Sequence, residues 1–318
     1  MFINIVLSIL GFVALIKCAD FFVDGAVALA KNFKVSPTVI GLTIVAFGTS
    51  APEMAISFNS HLSDNKDMLF GNVLGSNIAN ILVILGLAAV IRPLKIPNGI
   101  TGKQIPLLLL VTLGVSVLFL DTLFDSAEIN SLARTDGIIL ILFFSIFVYY
   151  LLTMLKVKEG TIIGNAPPPK YKLPASVAII AGSLAGIIIG SNLVVTNVSA
   201  FAEAIGISQK IISVTVVSIG TSLPELVTTV TAAKKGENNM AMGNIVGSNI
   251  FNTCIVLGMP IVILGEASTN AFGVTDIGFM IVAVLLLWVF SISGREIKRH
   301  EGAVLLIGYC LYVGYILF

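Results

Sequence analysis

Ten apolar runs follow one another along this chain with only short polar breaks between them, and each is about long enough to cross a bilayer. They cover residues 2–30, 36–60, 68–91, 104–121, 136–155, 174–202, 208–233, 240–264, 274–293 and 302–317. The expected fold is therefore an all-α membrane protein of ten transmembrane helices. Composition agrees: 57% of the residues are hydrophobic and 11% charged, against roughly 25% charged in a soluble domain. A net charge of +1 gives no basic stripe for nucleic acid. The expected surroundings are a lipid bilayer, in the cell (plasma) membrane.

Basic residues set the orientation, because loops on the cytoplasmic side are enriched in Lys and Arg. Alternate connections hold Lys31 and Lys34, then Arg92, Lys95 and Lys103, then Lys156, Lys158, Lys170 and Lys172, then Lys234 and Lys235, and finally Arg295, Lys298 and Arg299. The opposite set holds only Lys66, Arg134 and Lys210, and gathers nine acids, among them Asp64, Asp67, Asp125, Glu203 and Asp276. The lysine-rich side is expected to be cytoplasmic, with both termini outside. The first run has no basic n-region or AxA site and is expected to be a span, not a removed signal peptide.

Within this pattern GTSAPE at 48–53 recurs as GTSLPE at 220–225, and GNVLGSNIAN at 71–80 recurs as GNIVGSNIFN at 243–252. Both pairs share the offset 225 − 53 = 172, with no gap from about Asp20 to Gly86. Each half holds five spans, an odd number, so equivalent segments cross in opposite directions. That is an inverted-topology repeat, an architecture of secondary transporters. The expected division is 1–155 for the first repeat, 156–173 for a cytoplasmic linker and 174–318 for the second repeat.

Glu53 and Glu225 are carboxylates at hydrocarbon depth, where a charge costs several kcal/mol and marks function. Each follows a proline that breaks its helix, so the second and seventh spans are expected to be broken at Pro52 and Pro224. Freed carbonyls at that depth must be buried or line a polar cavity, and they are hard oxygen ligands. Thr49 and Glu53 share a helix face, as do Thr221 and Glu225. On the third and eighth spans Asn72, Ser76 and Asn80 form one polar stripe, and Asn244, Ser248 and Asn252 its twin. Ser76, Asn80, Ser248 and Asn252 are assigned to ion ligation. Asn72, Asn77 and their twins are assigned to hydrogen bonds between helices.

Every candidate ligand is an oxygen, and no His or Cys cluster suggests zinc, copper or iron. Cys18, Cys254 and Cys310 lie far apart in apolar runs and form no disulfide framework. Two carboxylates neutralise one Ca²⁺; the same oxygens could be shared among Na⁺ ions, or the glutamates could take protons.

These motifs resemble the two α-repeats of the sodium/calcium exchanger family, in the prokaryotic branch of the cation/calcium antiporter superfamily, and the resemblance covers nearly the whole chain. It implies ten helices with four ion subsites between the second, third, seventh and eighth. It also implies carbonyls from Ala46 and Ser218, carbonyls and hydroxyls from Thr49 and Thr221, and hydroxyls from Ser76 and Ser248. Glu53 and Glu225 would bridge the subsites. Some members carry an aspartate where this chain has Asn80 or Asn252, which leaves less negative charge here to balance three Na⁺.

The resulting expectation is a secondary active antiporter that exchanges Ca²⁺ for Na⁺ by alternating access, with H⁺ as the alternative coupling ion. A passive cation channel would need a continuous pore, usually from a ring of subunits. An enzyme would need a nucleophile or a His-held metal, and neither is present. No cofactor is expected, the transported ions are Ca²⁺ and Na⁺ or H⁺, and the chain is expected to act as a monomer. Gly182, Gly186 and Gly190 form a small-residue stripe, either for static packing or as a smooth face on which the long first and sixth helices slide. Lys17 and Asp20 stand at i, i+3 and could pair; with Asp24 they are assigned to interface snorkelling or a local ion pair, not to transport.

Overall fold

A computed structural model describes residues 2–97, 99–156, 168–206 and 218–317. Its helices are α1 (Phe2–Asn32), α2 (Pro37–Thr49), α3 (Ala51–Leu62), α4 (Lys66–Ile91), α5 (Ile100–Phe119), α6 (Arg134–Lys156) and α7 (Leu173–Ala204). Then follow α8 (Ser218–Thr221), α9 (Leu223–Lys235), α10 (Asn238–Leu264), α11 (Val274–Ile292) and α12 (Arg299–Leu317). Among the described residues seven helices are long and apolar enough to cross a membrane, and the bent pair α2–α3 makes eight. Of the other two expected spans, 302–317 falls in α12. The remaining one, 208–233, is described only from Ser218, as α8 and α9; residues 208–217 and 157–167 of the expected linker lie outside the described residues.

Local signals start and stop these helices where elementary chemistry requires. Ser36 accepts from the Val39 amide at 3.4 Å and Pro37 opens α2, where a missing N–H costs nothing. Asn65 accepts from Met68 N at 3.1 Å to cap α4. Gly236, at φ +82°, ends α9 in the left-handed conformation.

The structure moves the two breaks. The helix stops at Ser50 (φ −83°, ψ 9°) and at Ser222 (φ −90°, ψ 9°), and restarts with Pro52 and Pro224 already inside the next first turn. A proline there fits the helix, because first-turn amides have no intrahelical partner. The kink between α2 and α3 is 43°. One consequence is electrostatic: Glu53 and Glu225 sit in the first turns of α3 and α9, where the helix dipole favours an anion.

α4 and α10 are the axis of the molecule, with 72% and 83% of their apolar windows buried, against 22% for α1 and 17% for α6. Backbone meets backbone where α2 crosses α10. A Cβ on Gly41 would lie 2.7 Å from the Met240 carbonyl, and one on Gly247 2.8 Å from that of Leu42. The long helices α1 and α7 lie against each other along their length, joined at Gly11 and Gly190, whose added Cβ atoms would lie 2.9 and 3.0 Å from each other's carbonyl oxygens. Gly186 faces Cys18 of α1 in the same seam, while Gly182 has nothing within 4 Å. Two of the three stripe glycines, Gly186 and Gly190, thus belong to a packing seam between α1 and α7.

Two details correct the all-α expectation. β1 (Leu94–Lys95) pairs antiparallel with β4 (Glu296–Ile297), and β2 (Asn130–Leu132) with β3 (Ala267–Thr269). Each two-stranded ladder ties a loop of the first half to a loop of the second. Lys17 also makes no ion pair with Asp20: the partner of Asp20 is Lys235, 3.6 Å away.

Candidate ion-binding site

Glu53 and Glu225 are both fully buried. Each is hydrogen-bonded across to a serine at the break of the other half. Ser50 Oγ donates to Glu225 Oε1 at 2.8 Å, and Ser222 Oγ donates to Glu53 Oε1 at 3.3 Å. The two broken spans therefore meet end to end, each serine satisfying the carboxylate of the other half. Neither serine was singled out from the sequence. The signal existed, because both belong to the repeated GTS triplet, but spacing along one helix cannot reveal a partner about 170 residues away.

The second oxygen of each carboxylate has no hydrogen-bond partner: Glu53 Oε2 and Glu225 Oε2 are buried and unsatisfied. So are Ser76 Oγ and both side-chain polar atoms of Asn80 and of Asn252, all on α4 and α10. A buried polar group without a partner costs about 1–3 kcal/mol, more when charged. Natural structures hold few such atoms, and each asks for an explanation. Of the twelve such side-chain atoms among the described residues, seven fall on five of the residues named from the sequence as ligands, and the other five lie on His61, Asn77, Gln104, Ser199 and Asn238.

The backbone adds its own signal. Helix α4 widens to π-helical turns over Asn80–Leu85, and α10 does the same over Asn252–Leu257. A third widened turn, Gly41–Val45, leads into Ala46. Such turns inside α-helices occur frequently at functional sites, because they re-aim side chains and loosen the i→i−4 ladder. No residue propensity announces them, and the sequence analysis missed all three.

The remaining candidates are partly engaged. Ser248 Oγ donates to the Ala46 carbonyl at 3.4 Å, and Thr49 Oγ1 donates to the Val45 and Ala46 carbonyls at 3.0 and 3.3 Å. The Ala46 carbonyl also accepts from Ser50 N at 3.1 Å, so it is a shared acceptor. Thr221 lies in α8 directly before the break, and Ser218 opens that helix at the edge of the described residues.

Asn72 and Asn244 do what the interhelical reading assigned them. Asn72 Nδ2 donates to the Glu53 carbonyl at 2.9 Å and to Ser57 Oγ at 3.0 Å. Asn244 Nδ2 donates to Thr229 Oγ1 at 2.8 Å and Thr228 Oγ1 at 3.2 Å. Asn77 donates to Thr253 at 2.8 Å, whereas its twin Asn249 bonds within its own helix, to Ile245 O. Each amide of the first pair fastens a glutamate-bearing helix to its neighbour, α3 to α4 and α9 to α10.

Pro224 has no N–H to donate to the carbonyl of Gly220, four residues earlier. Ser191 Oγ of α7 donates to that carbonyl at 2.9 Å. Val195 of α7 lies against Gly220 and Leu184 of α7 against Gly48. One helix, α7, thus lies over both breaks.

Among the described residues no group of three or more His, Cys, Asp and Glu gathers to hold a metal. What gathers is two buried carboxylates, each hydrogen-bonded by a serine hydroxyl of the other half. That donor set suits hard, weakly held cations, not a resident transition metal.

The sequence description "Sodium/calcium exchanger protein" matches residues 3–153 and 175–318. Sodium/calcium exchanger MaX1 of Methanosarcina acetivorans is 32% identical, over 98% of this chain and 97% of its own length. Inner membrane protein YrbG of Escherichia coli (strain K12) is 32% identical, over 96% and 94%. The solved structure of the sodium-calcium exchanger NCX_Mj, soaked with 10 mM Na⁺ and zero Ca²⁺, superposes with a TM-score of 0.82 at 30% identity over 98% of both chains. This chain is a membrane antiporter of the sodium/calcium exchanger family.

Proposed function

We propose that the chain exchanges Ca²⁺ for Na⁺ across the plasma membrane, at a midplane site built on Glu53 and Glu225. The observation that carries this is the set of buried unsatisfied oxygens and amides on Glu53, Glu225, Ser76, Asn80 and Asn252, converging with the serine-bonded carboxylates. Two buried carboxylates cannot both stay charged without compensation, since burying a lone charge costs several kcal/mol. A divalent cation, a pair of monovalent cations or protons each provides it. Ions that compete for the same two carboxylates exchange instead of travelling together.

Alternating access in this reading rests on ten spans arranged as two inverted five-helix repeats, 1–155 and 174–318, joined by a cytoplasmic linker at 156–173. Contacts that come in twin pairs support it. Gly86 of α4 abuts Gly302 of α12, and its twin Gly258 of α10 abuts Gly137 of α6. β1 with β4 and β3 with β2 repeat the same exchange between halves. The lysine-rich side is cytoplasmic and both termini are outside. Glu53 and Glu225 bridge subsites completed by Thr49, Thr221, Ser76, Ser248, Asn80, Asn252 and the carbonyls of Ala46 and Ser218. The α1–α7 pair slides over the core to expose the site to either side in turn, with no cofactor and with one chain as the working unit.

Proteoliposomes test this reading directly. Uptake of ⁴⁵Ca²⁺ requires an opposing Na⁺ gradient, and Glu53→Gln or Glu225→Gln abolishes it. Replacing the Na⁺ gradient by a pH gradient decides between Na⁺ and H⁺ as the coupling ion. Calcium flux indifferent to both gradients would refute exchange.

A further inference from the structure

At the lysine-rich end of the molecule three segments meet at one carboxylate. Asp24 of α1 presents Oδ1 to Lys235 Nζ at 2.7 Å and Oδ2 to Lys170 Nζ at 2.7 Å. Lys235 ends α9, the helix that begins with Glu225, and it also donates to the Asp20 carbonyl at 2.7 Å. Lys170 stands just ahead of α7. The carboxylate of Asp24 and the ammonium of Lys235 are half-shielded, with 26% and 29% of their side chains exposed. The ion-binding chemistry above makes no use of these ion pairs.

The two lysines belong to different bodies. Tyr171, beside Lys170, is tied to α1, because Asn32 Nδ2 donates to its carbonyl at 2.9 Å and to Ser176 Oγ at 3.4 Å. Gly25 of α1 sits against Ile179, Ile180 and the Ser176 carbonyl of α7 in the same seam. Lys170 therefore travels with the α1–α7 pair. Lys235 belongs to the core through α9, which Asn244 fastens to α10. Any displacement of α1 and α7 along the core keeps the bond from Asp24 to Lys170 and breaks the bond from Asp24 to Lys235.

We infer that Asp24 and Lys235 form an ionic latch, closed in the orientation described here, that holds the lysine-rich end of the α1–α7 pair against α9 and must open for the site to face that side. The inference rests on the sliding motion of the proposed function and adds what sets its resting position. With Glu53 and Glu225 fully buried and the latch closed, the lysine-rich side is the shut side of this structure.

The latch predicts an asymmetric change in apparent affinity, because a binding-competent orientation that is rarely populated raises KM by the inverse of its population. A half-shielded ion pair shifts such an equilibrium by about twofold to fivefold. In proteoliposomes of defined orientation, Asp24→Asn and Lys235→Gln each lower the KM for Ca²⁺ at the lysine-rich face by about twofold to fivefold. The double variant matches Lys235→Gln alone, because Asp24→Asn leaves Lys235 its bond to the Asp20 carbonyl while Lys235→Gln removes the shared ammonium. Lys170→Gln does not lower it, because its bond lies within the moving pair. An unchanged KM in both single variants, or an equal fall in Lys170→Gln, overturns the latch. Loss of gradient-coupled uptake in the wild type would overturn the antiporter reading instead, so the two failures are separable.

Discussion

Gly75 and Gly247 are twins in sequence, at the offset of 172, inside LGSN and VGSN respectively. The structure gives them opposite tolerance. A Cβ on Gly247 would lie 2.8 Å from the Leu42 carbonyl and 2.9 Å from both Leu42 Cα and Ala46 Cβ, all part of α2. That is about 0.6 Å short of ordinary contact, and most of it is against backbone, so the helices must part. The adjacent Ser248 reaches the Ala46 carbonyl at 3.4 Å, already at the limit of a hydrogen bond, and a further half-ångström breaks it. Overpacking of this kind costs about 1–3 kcal/mol. If the widening falls on the ion site, Ca²⁺ affinity drops by about 5-fold to 150-fold. Gly75 has nothing within 4 Å of an added Cβ. Alanine there also gains helix propensity of about 1 kcal/mol. The expected result is that Gly75→Ala transports within about twofold of wild type and melts no lower, whereas Gly247→Ala loses uptake at low Ca²⁺. The assay is ⁴⁵Ca²⁺ uptake against Ca²⁺ concentration, with a detergent melting curve to confirm folding. Equal damage at the two positions, or wild-type affinity in Gly247→Ala, would refute the close approach of α2 and α10 as what shapes the site.

The crossed serines give a second expectation: Ser50→Ala, which removes the 2.8 Å bond to Glu225, weakens Ca²⁺ affinity more than Ser222→Ala, which removes the 3.3 Å bond to Glu53. A hydrogen bond to a charged group contributes about 1.5–3 kcal/mol, so Ser50→Ala should cost at least tenfold in a Ca²⁺ titration, and an order reversed between the two would contradict the geometry. Asn72→Leu strips α4 of its bonds to the Glu53 carbonyl and Ser57; it should lower the melting temperature measurably while Asn249→Leu, whose bond lies within one helix, lowers it less.

Much of the site was legible because hydrocarbon makes certain residues conspicuous. Glu53 and Glu225 stand out since a carboxylate there needs a reason, and Ser76, Asn80 and Asn252 share the faces that helical spacing assigns them. These five residues then hold seven of the twelve buried unsatisfied side-chain atoms among the described residues. The breaks were placed two residues late, because proline marks where a helix cannot continue but is equally at home in a first turn, and the chain uses it that way at Pro52 and Pro224. Widened turns at Asn80 and Asn252 have no compositional signature, so tertiary packing alone reveals them. Of the two readings open for Lys17, Asp20 and Asp24, the ion pair is made with a distant partner instead of with Lys17, for a related reason. Local i, i+3 geometry offers only a few tenths of a kcal/mol, and Lys235, 215 residues away, approaches both Asp20 and Asp24.

The deeper limit is that a repeat predicts equivalence, and a transporter caught in one orientation cannot be equivalent in its halves. Around the two glutamates the halves obey the repeat: Ser50 and Ser222 exchange partners symmetrically, and Asn72 and Asn244 fasten the same neighbours. Symmetry fails at the helices that cover the site. Ser191 of α7 holds the Gly220 carbonyl, yet the twin position in α1 is Ala19, which has no hydroxyl to offer Gly48. An orientation that exchanged the roles of α1 and α7 would therefore lose this bond and gain none in return. Such a bond contributes about 0.5–1.5 kcal/mol, comparable to the latch at Asp24 and Lys235. On the proposed alternating access, the repeat would supply two orientations of nearly equal architecture, and a few unrepeated polar side chains would decide which of them the protein rests in.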